Sequence, residues 1–247
     1  MRTFKTLLKT ELKLSLRDMN MFIFALCLPV TITMILGSIY GPTPAYEGST
    51  YTAFAQSFGA LSSIAILAGG VMGLPLLIAD YRAKKILKRF KVTPVSPTMI
   101  LGVNLTVYFL YAILSLILIY IVSILFFDFQ LLGSWVPFIG SYLLTVFSMF
   151  SIGLLVGGLA PDMKTASTIA SLLYFPMLLF SGTTLPYDLM PSGLQRFADV
   201  LPLTQAIHLL QATSLGLPID QAVFSIAILI VLTVVCFTLA IRFFKWE

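Results

Sequence analysis

Six long apolar stretches dominate this sequence, and they limit what the chain can fold into. A helix that crosses the hydrocarbon core of a bilayer needs about 20 consecutive, mainly apolar residues. Only 10% of the residues are charged, whereas a soluble domain carries about 25%, so the chain has too little charge to cover a water-exposed surface. The sequence therefore predicts an all-α integral membrane protein. Its six transmembrane helices are expected at about 21–40, 56–79, 99–127, 134–160, 165–182 and 220–241.

The basic residues mark one side of these stretches. Every Lys and Arg except Arg196 lies before the first stretch, in the loop 80–98, between the fourth and fifth stretches, or after the sixth. Loops rich in Lys and Arg stay in the cytoplasm. We therefore predict a multi-pass protein of a bacterial cell membrane with both termini cytoplasmic and with 41–52 and 183–219 outside. The net charge of +5 is explained by this topology, so no nucleic-acid partner is predicted.

Residues 1–20 are predicted to form an amphipathic helix before a transmembrane domain that covers 21–247. Its basic side chains recur every four positions, opposite a face of leucines: Lys5, Lys9, Lys13 and Arg17. Such a helix lies at the headgroup level of the bilayer, where anionic lipid attracts its lysines. Membrane lipid is therefore a predicted partner, and contact with a cytoplasmic protein is an equally open alternative.

The loop 80–98 contains a basic segment that also has an apolar face. Ile86, Leu87 and Phe90 share one side of a helix. Thr93 ends this helix, because the residue before a proline disfavours helical geometry. A short helix of this kind suits a groove on a partner protein, although a charge cluster that only sets the topology explains the basic residues as well. The predicted helix consists of Lys84, Lys85, Ile86, Leu87, Lys88, Arg89, Phe90, Lys91 and Val92.

The segment 183–219 is unusually apolar for a loop, and prolines divide it into two short predicted helices at about 187–198 and 204–215. A helix of about 12 residues is about 18 Å long, whereas the hydrocarbon core is about 30 Å thick. A re-entrant hairpin that dips into the outer leaflet is therefore predicted, and a loop packed on the other helices is the alternative. Four side chains are expected to face apolar neighbours and to form an external gate: Leu194, Phe197, Ile207 and Leu210.

Motifs of enzymatic chemistry are missing from the sequence. It has no GxxxxGK[ST] loop for nucleotide phosphates, no HExxH or GxSxG motif, and a single histidine, His208. No catalytic residue, metal site or cofactor is therefore predicted. An intramembrane enzyme needs polar groups clustered at membrane depth, and an ion-coupled carrier or channel needs buried charge or a polar pore. Both functions stay open as alternatives at this point.

Three segments together resemble the type-2 permeases of ABC exporters, in order and spacing, over nearly the whole chain. They are ILKRFKVTPVSPTMILG, LLVGGLAPDMKTASTIASLLYFPMLLFSGTTLP and LPYDLMPSGLQRFADVLPLTQAIHLLQATSLG. The first resembles the family's basic, apolar-faced helix, the second its spans four and five, and the third its proline-punctuated external hairpin. Many members of the family have a Glu before this helix, often in the sequence Gly-Thr-Leu-Glu. In this chain the run from Lys84 to Lys88 stands at that place, and this run is more similar to the drug-export branch of the family.

The resemblance implies a permease subunit that has no ATPase of its own and exports an apolar or amphipathic substrate, such as a drug, an antibiotic, a peptide or a lipid-like molecule. It implies two partners: a separate ATP-hydrolysing ABC subunit, and a second permease in a homodimer or heterodimer. Residues 84–92 would be the coupling helix that receives the movement of the ATPase. The substrate route would run between the two permeases along spans one, two and five.

Overall fold

The computed structural model describes residues 2–17, 19–41, 43–46, 48–85, 96–184, 187, 190–218 and 222–243. Within these ranges the chain is helical, and its one β-type contact is an isolated bridge between Pro44 and Thr52. The predicted all-α class is confirmed. The helices are α1 (Arg2–Ser15), α2 (Ile23–Tyr40), α3 (Ala53–Ala83), α4 (Pro97–Phe127), α5 (Trp135–Leu159), α6 (Met163–Phe180), α7 (Ser192–Val200), α8 (Pro202–Leu215) and α9 (Val223–Phe243).

Six of these helices, α2 to α6 and α9, are long and apolar enough to cross a membrane. They confirm the predicted number of crossings, and each begins and ends within a few residues of its predicted stretch. The largest difference is at α3, which covers Ala53–Ala83 rather than 56–79. The Thr52 hydroxyl caps the start of α3 by accepting a hydrogen bond from the backbone N–H of Ala55 at 3.1 Å. Such a cap fixes the first helical turn.

Both α2 and α3 contain one widened, π-helical turn. The two turns are Ile23–Cys27 and Ala68–Gly73, and they pack against each other. Each is soon followed by a proline, Pro29 in α2 and Pro75 in α3. Proline has no N–H to donate, and its ring crowds the carbonyl four residues earlier, which here belongs to the widened turn. The local change of helix type therefore lets both helices continue past a proline.

α3 and α5 form the centre of the bundle, and α8 packs against both of them. α2 packs on α3 and α4, α6 packs on α3, and α9 packs on α5 and α8. In these outer helices, α2, α6 and α9, most residues are half-buried or exposed, so their apolar surfaces need lipid or another protein as cover. The large side chains of the central core include Phe58, Leu61, Ile64, Phe138, Tyr142, Met149, Leu209 and Leu210.

α3 and α5 cross closely at Gly70 and Gly153. A Cβ atom on Gly153 would overlap the carbonyl oxygen of Gly70. One turn further along α5, a Cβ atom on Gly157 would lie 2.9 Å from the Ile78 side chain. The GxxxG spacing of α5 therefore serves its usual purpose, which is to let two helix backbones approach.

The basic end of the bundle consists of α1, the end of α3, the start of α4 and the end of α5. Arg82, in the last turn of α3, reaches the end of α5. Its guanidinium donates hydrogen bonds to the backbone carbonyls of Gly157 and Gly158, each at 3.2 Å, and to that of Ala160. The last carbonyls of a helix have no partner within the helix and carry partial negative charge, so this cation stabilises the end of α5.

The opposite end of the bundle holds the loops after α2 and α4 together with α7 and α8. The backbone N–H of Gly133 donates to the carbonyl of Ser214 at 2.9 Å, which joins the loop after α4 to α8. Two short helices lie where two were predicted, but the first begins at Ser192 rather than near residue 187. The reason is that Pro191, not Pro186, directly precedes its first turn. The insertion of this pair into the outer leaflet stays a prediction.

Candidate functional site

A cavity of about 980 Å³ opens at the end of the bundle opposite the basic end. Ligand sites in proteins have volumes of about 300–1,000 Å³, so this cavity can hold a small organic molecule. Its walls come from α2 and the loop after it, from α3, α8 and the start of α9, and from α7 with the segment that precedes it. These helices are neighbours, because α3 contacts both α2 and α8, and α8 contacts α9. The cavity is therefore a cleft across four adjacent helices.

α8 turns one polar stripe toward the cavity. Gln205, His208 and Gln211 lie three residues apart, which places them on one side of a helix, and all three line the cavity. The other faces of α8 are buried and mainly apolar, as at Leu209 and Leu210. None of these three residues is among the site residues predicted from the sequence. Polar side chains at three-residue spacing in an otherwise apolar segment are the sequence signal that identifies it.

Hydrogen bonds hold several polar groups of the cavity in place. The Ser225 hydroxyl donates to Oε1 of Gln205 at 2.8 Å, and Nε2 of Gln205 donates to the backbone carbonyl of Asp199 at 2.7 Å. The Tyr187 hydroxyl donates to the Asp199 carboxylate at 2.7 Å. The Tyr187 ring also meets the His208 ring edge-on, with 5.1 Å between the ring centres. α7, α8 and α9 are thus connected through side chains that line the cavity.

The cavity is nearly uncharged. Among the described residues that line it, the Asp199 carboxylate is the one formal charge, and none is Lys or Arg. The other polar groups are amides, hydroxyls and one imidazole, and the apolar part includes Leu36, Ile39 and Phe224. This mixture suits a molecule with an apolar part and an uncharged polar part. Within the described ranges, no three His, Cys, Asp or Glu side chains lie close enough together to hold a metal ion.

The four residues predicted to form an external gate do not come together at this cavity. Ile207 lines it, whereas Leu210 is buried in the central core. Leu194 is half-buried on α7. Phe197 is 48% exposed, and its ring lies edge-on to that of Phe180 with 5.9 Å between the centres. Of the four, Ile207 is the one that touches the cavity.

The predicted coupling helix over 84–92 lies mostly outside the described residues. Lys84, at its start, forms an ion pair with Asp80 at 2.8 Å, and an exposed pair of this kind contributes at most about 1 kcal/mol. Lys85 has a φ of 55°, the left-handed geometry that commonly ends a helix. The residues of the predicted helix that lie outside the described ranges are Ile86, Leu87, Lys88, Arg89, Phe90, Lys91 and Val92.

A polar contact attaches α1 to the basic end. The Tyr81 hydroxyl donates to Oε1 of Glu11 at 3.3 Å, and Nδ2 of Asn104 donates to the Tyr81 oxygen at 3.4 Å. Burial raises the pKa of the Glu11 carboxyl above its usual range, and the hydrogen bond from Tyr81 partly offsets this. The apolar side of α1 packs against α4 and the start of α2. The last turn of α3 is thus joined to α1 and α4 through Tyr81 and to α5 through Arg82.

Comparison with protein families identifies the class. The family model described as ABC-2 type transporter matches residues 2–215. The match covers most of the chain, so the protein belongs to this family, and the resemblance drawn from its motifs is confirmed. The chain is therefore a membrane subunit of an ABC-2 type transporter.

Curated relatives carry the name nodulation protein J. The chain is 35% identical to the protein of Rhizobium leguminosarum bv. viciae over 94 residues, which are 38% of this chain and 36% of that one. It is 29% identical to the protein of Neorhizobium galegae over 102 residues, 41% and 39% of the two chains. It is 30% identical to that of Bradyrhizobium diazoefficiens over 95 residues, 38% and 36% of the two chains. The aligned segments thus span between 36% and 39% of these relatives.

Proposed function

We propose that this chain is the permease subunit of an ABC exporter that moves an apolar or amphipathic molecule out of the cell with ATP hydrolysed by a separate subunit. The observation that carries the proposal is the match to ABC-2 type transporters across residues 2–215. The cargo class follows from the cavity, whose described lining combines apolar side chains with amides and hydroxyls around a single carboxylate. A drug, an antibiotic, a peptide or a lipid-like molecule has this mixed character.

The basic end faces the cytoplasm in this proposal, and the cavity opens outward. Arg82, Lys84 and Lys85 lie at the basic end with the lysines of α1, and positively charged segments stay on the cytoplasmic side. α1 then lies in the headgroup layer of the inner leaflet. Its leucine face packs against α2 and α4 while Lys5 and Lys9 are exposed, which is the arrangement that an interfacial helix needs.

Residues 84–92 act as the coupling helix on the ATPase subunit. The support is the attachment of the turn that precedes them. Arg82 bonds to three carbonyls at the end of α5, and Tyr81 contacts both α1 and α4 through Glu11 and Asn104. A displacement of the segment that follows α3 is therefore transmitted to three other helices at once. Differential contact of the ATPase with two packings of the bundle then drives transport.

A second permease, identical or different, packs beside this one. The exposed apolar side chains of α2 and α6 support this proposal, for example Ile35 at 52%, Leu172 at 71% and Phe175 at 54% exposed. α2 lines the cavity, and the segment that follows α6 lines it as well. A partner on these faces would enclose a substrate route along α2, α3 and α6, and membrane lipid covers the remaining apolar surface.

The pair α7 and α8 forms an external cap over the substrate route. The support is their place at the cavity, where side chains of both helices line the wall and hydrogen bonds join them to α9. Of the four gate residues taken from the sequence, Ile207 is in a position to contact cargo inside the cavity. Phe197 and Leu194 lie on α7, so they would act at its outer surface.

ATP-dependent transport by the reconstituted complex tests the proposed function. The chain is co-expressed with its candidate ATPase subunit, purified and reconstituted, and uptake of a fluorescent amphiphile into inside-out vesicles is measured. The control is the same complex with an inactivated ATPase site. ATP-dependent uptake that the control lacks is the expected result. Uptake driven by an ion gradient without ATP would favour a carrier, and conversion of the amphiphile to a product would favour an intramembrane enzyme.

A further inference from the structure

We propose that the cavity selects an amphiphile whose polar part is uncharged and rich in hydroxyl or amide groups, and that Gln211 is the residue that binds this part. The inference rests on the proposed export function only in identifying the ligand as cargo. The binding itself follows from the groups that line the cavity.

Gln211 differs from the other glutamine of the α8 stripe in its hydrogen bonds. Both ends of the Gln205 amide are occupied, because Oε1 accepts from Ser225 and Nε2 donates to the Asp199 carbonyl. The Gln211 amide also lines the cavity, is half-buried, and makes no side-chain hydrogen bond to another described residue. An amide offers two donors and one acceptor, and polar groups in a site find partners in water or ligand. Gln205 is thus structural, and Gln211 is available to a ligand.

The glutamine amides of the lining lie on the two middle helices of the cleft, whereas the flanking helices contribute large apolar side chains. The two middle helices of the cleft contribute Gln56 from α3 and Gln211 from α8. The flanking helices contribute apolar side chains, Leu36 and Ile39 from α2 and Phe224 from α9. Ile39 is 58% and Phe224 70% exposed, so these flanks continue into the outer surface of the bundle. A ligand with its polar part in the middle of the cleft would therefore lay its apolar part along a flank.

The charges of the lining favour an uncharged polar part over either kind of ion. An anion would lose its hydration without meeting a cation among the described lining residues, and burying an uncompensated charge is costly. A cation would meet the Asp199 carboxylate, but this group already accepts a hydrogen bond from Tyr187 and is exposed. Exposed ion pairs contribute at most about 1 kcal/mol. Hydroxyl and amide groups instead match the donors and acceptors that are present.

The test measures protection of a cysteine in the cavity. Ser57, which lines the cavity on α3, is replaced by Cys in a background without Cys27 and Cys236, and the protein is placed in lipid nanodiscs. Maleimide labelling is then measured with three amphiphiles of equal chain length, octyl glucoside, octyltrimethylammonium and octyl sulfate, each below its micellar concentration. A cysteine at Val200, which is 80% exposed and outside the cavity lining, is the control for unspecific effects.

We expect octyl glucoside to protect Ser57→Cys at a concentration about tenfold lower than either charged amphiphile, and to leave Val200→Cys unprotected. Gln211→Leu should raise the half-protecting concentration of octyl glucoside about fivefold, as the loss of one hydrogen bond predicts. Gln130→Leu is the matched control, because Gln130 is exposed at the same end of the bundle but does not line the cavity. This variant should leave the half-protecting concentration unchanged. Equal or better protection by a charged amphiphile, or no effect of Gln211→Leu, would overturn the proposal. The assay needs neither ATP nor a partner subunit, so its failure is distinguishable from failure of export.

Discussion

Replacement of Gly153 by alanine tests the close crossing of α3 and α5. In Gly153→Ala the new methyl group would overlap the carbonyl oxygen of Gly70, a backbone atom that cannot rotate away. The two central helices must then separate. Overpacking of a well-packed contact costs about 1–3 kcal/mol, and removal of a glycine from a helix returns about 0.5–1 kcal/mol. The net loss is then at most about 2.5 kcal/mol, and we expect about 1–2 kcal/mol because the overlapped atom belongs to the backbone.

The matched control is Gly140→Ala in the same helix, where a Cβ atom would meet nothing within 4 Å. Only helix propensity changes there, so a gain of about 0.5–1 kcal/mol is expected. Both variants are unfolded with increasing mole fractions of dodecyl sulfate in mixed micelles, and the loss of structure is followed by circular dichroism. The two changes should thus move the transition in opposite directions. If Gly153→Ala proved as stable as Gly140→Ala, the helices would not cross as closely as described.

Three further predictions concern orientation, coupling and the attachment of α1. In a cysteine-free background, Ser49→Cys should react with an impermeant thiol reagent on intact cells, whereas Lys85→Cys should react only after permeabilisation. Reaction of Lys85→Cys on intact cells would contradict the predicted orientation. Leu87→Asp should abolish transport without preventing membrane insertion, because an unpaired carboxyl group in an apolar groove costs at least the roughly 2–7 kcal/mol of an uncharged polar group, while Lys88→Ala should have little effect. Equal tolerance of both changes would favour a charge cluster that only sets topology. The raised pKa of Glu11 means that the fold favours the protonated carboxyl. Its stabilising contribution is therefore present at acid pH and is lost as the pH rises through the raised pKa. Unfolding titrations across this pH range should show that the unchanged protein loses stability as the pH rises. Glu11→Gln should abolish this pH dependence, and identical stability profiles for the two proteins would contradict the prediction.

The membrane crossings could be predicted from the sequence, whereas the contacts between them could not. Each crossing needs a continuous apolar run, and such runs are local features of the chain. Arg82 shows the limit, because in the sequence it is one more positive residue of a loop that is predicted to be cytoplasmic. Its hydrogen bonds to the last carbonyls of α5 depend on which helix ends become neighbours. That arrangement is determined by packing, which the hydrophobic pattern of one segment does not encode.

The candidate site was harder to predict for a related reason. Large apolar residues between prolines predict a gate, but these residues differ in position: Ile207 and Leu210 are both buried in the central core, and Ile207 also lines the cavity. The polar side chains that α8 presents to the cavity are Gln205, His208 and Gln211. A mainly apolar composition indicates that a segment is buried, but the positions of its few polar residues indicate which face borders a cavity.

The widened turn of α3 divides this helix into a half beside the cavity and a half toward the basic end, and the widened turn of α2 lies at the start of that helix. Leu36 and Gln56 lie on the cavity side of these turns. The two turns touch, and the crossing of α3 with α5 at Gly70 falls within the second of them. Helices bend most easily where their regular hydrogen bonding is interrupted. The start of α2, the middle of α3 and the Gly153 segment of α5 therefore meet in one region, where α3 can bend so that its half beside the cavity tilts while the Arg82 contacts keep its other half next to α5.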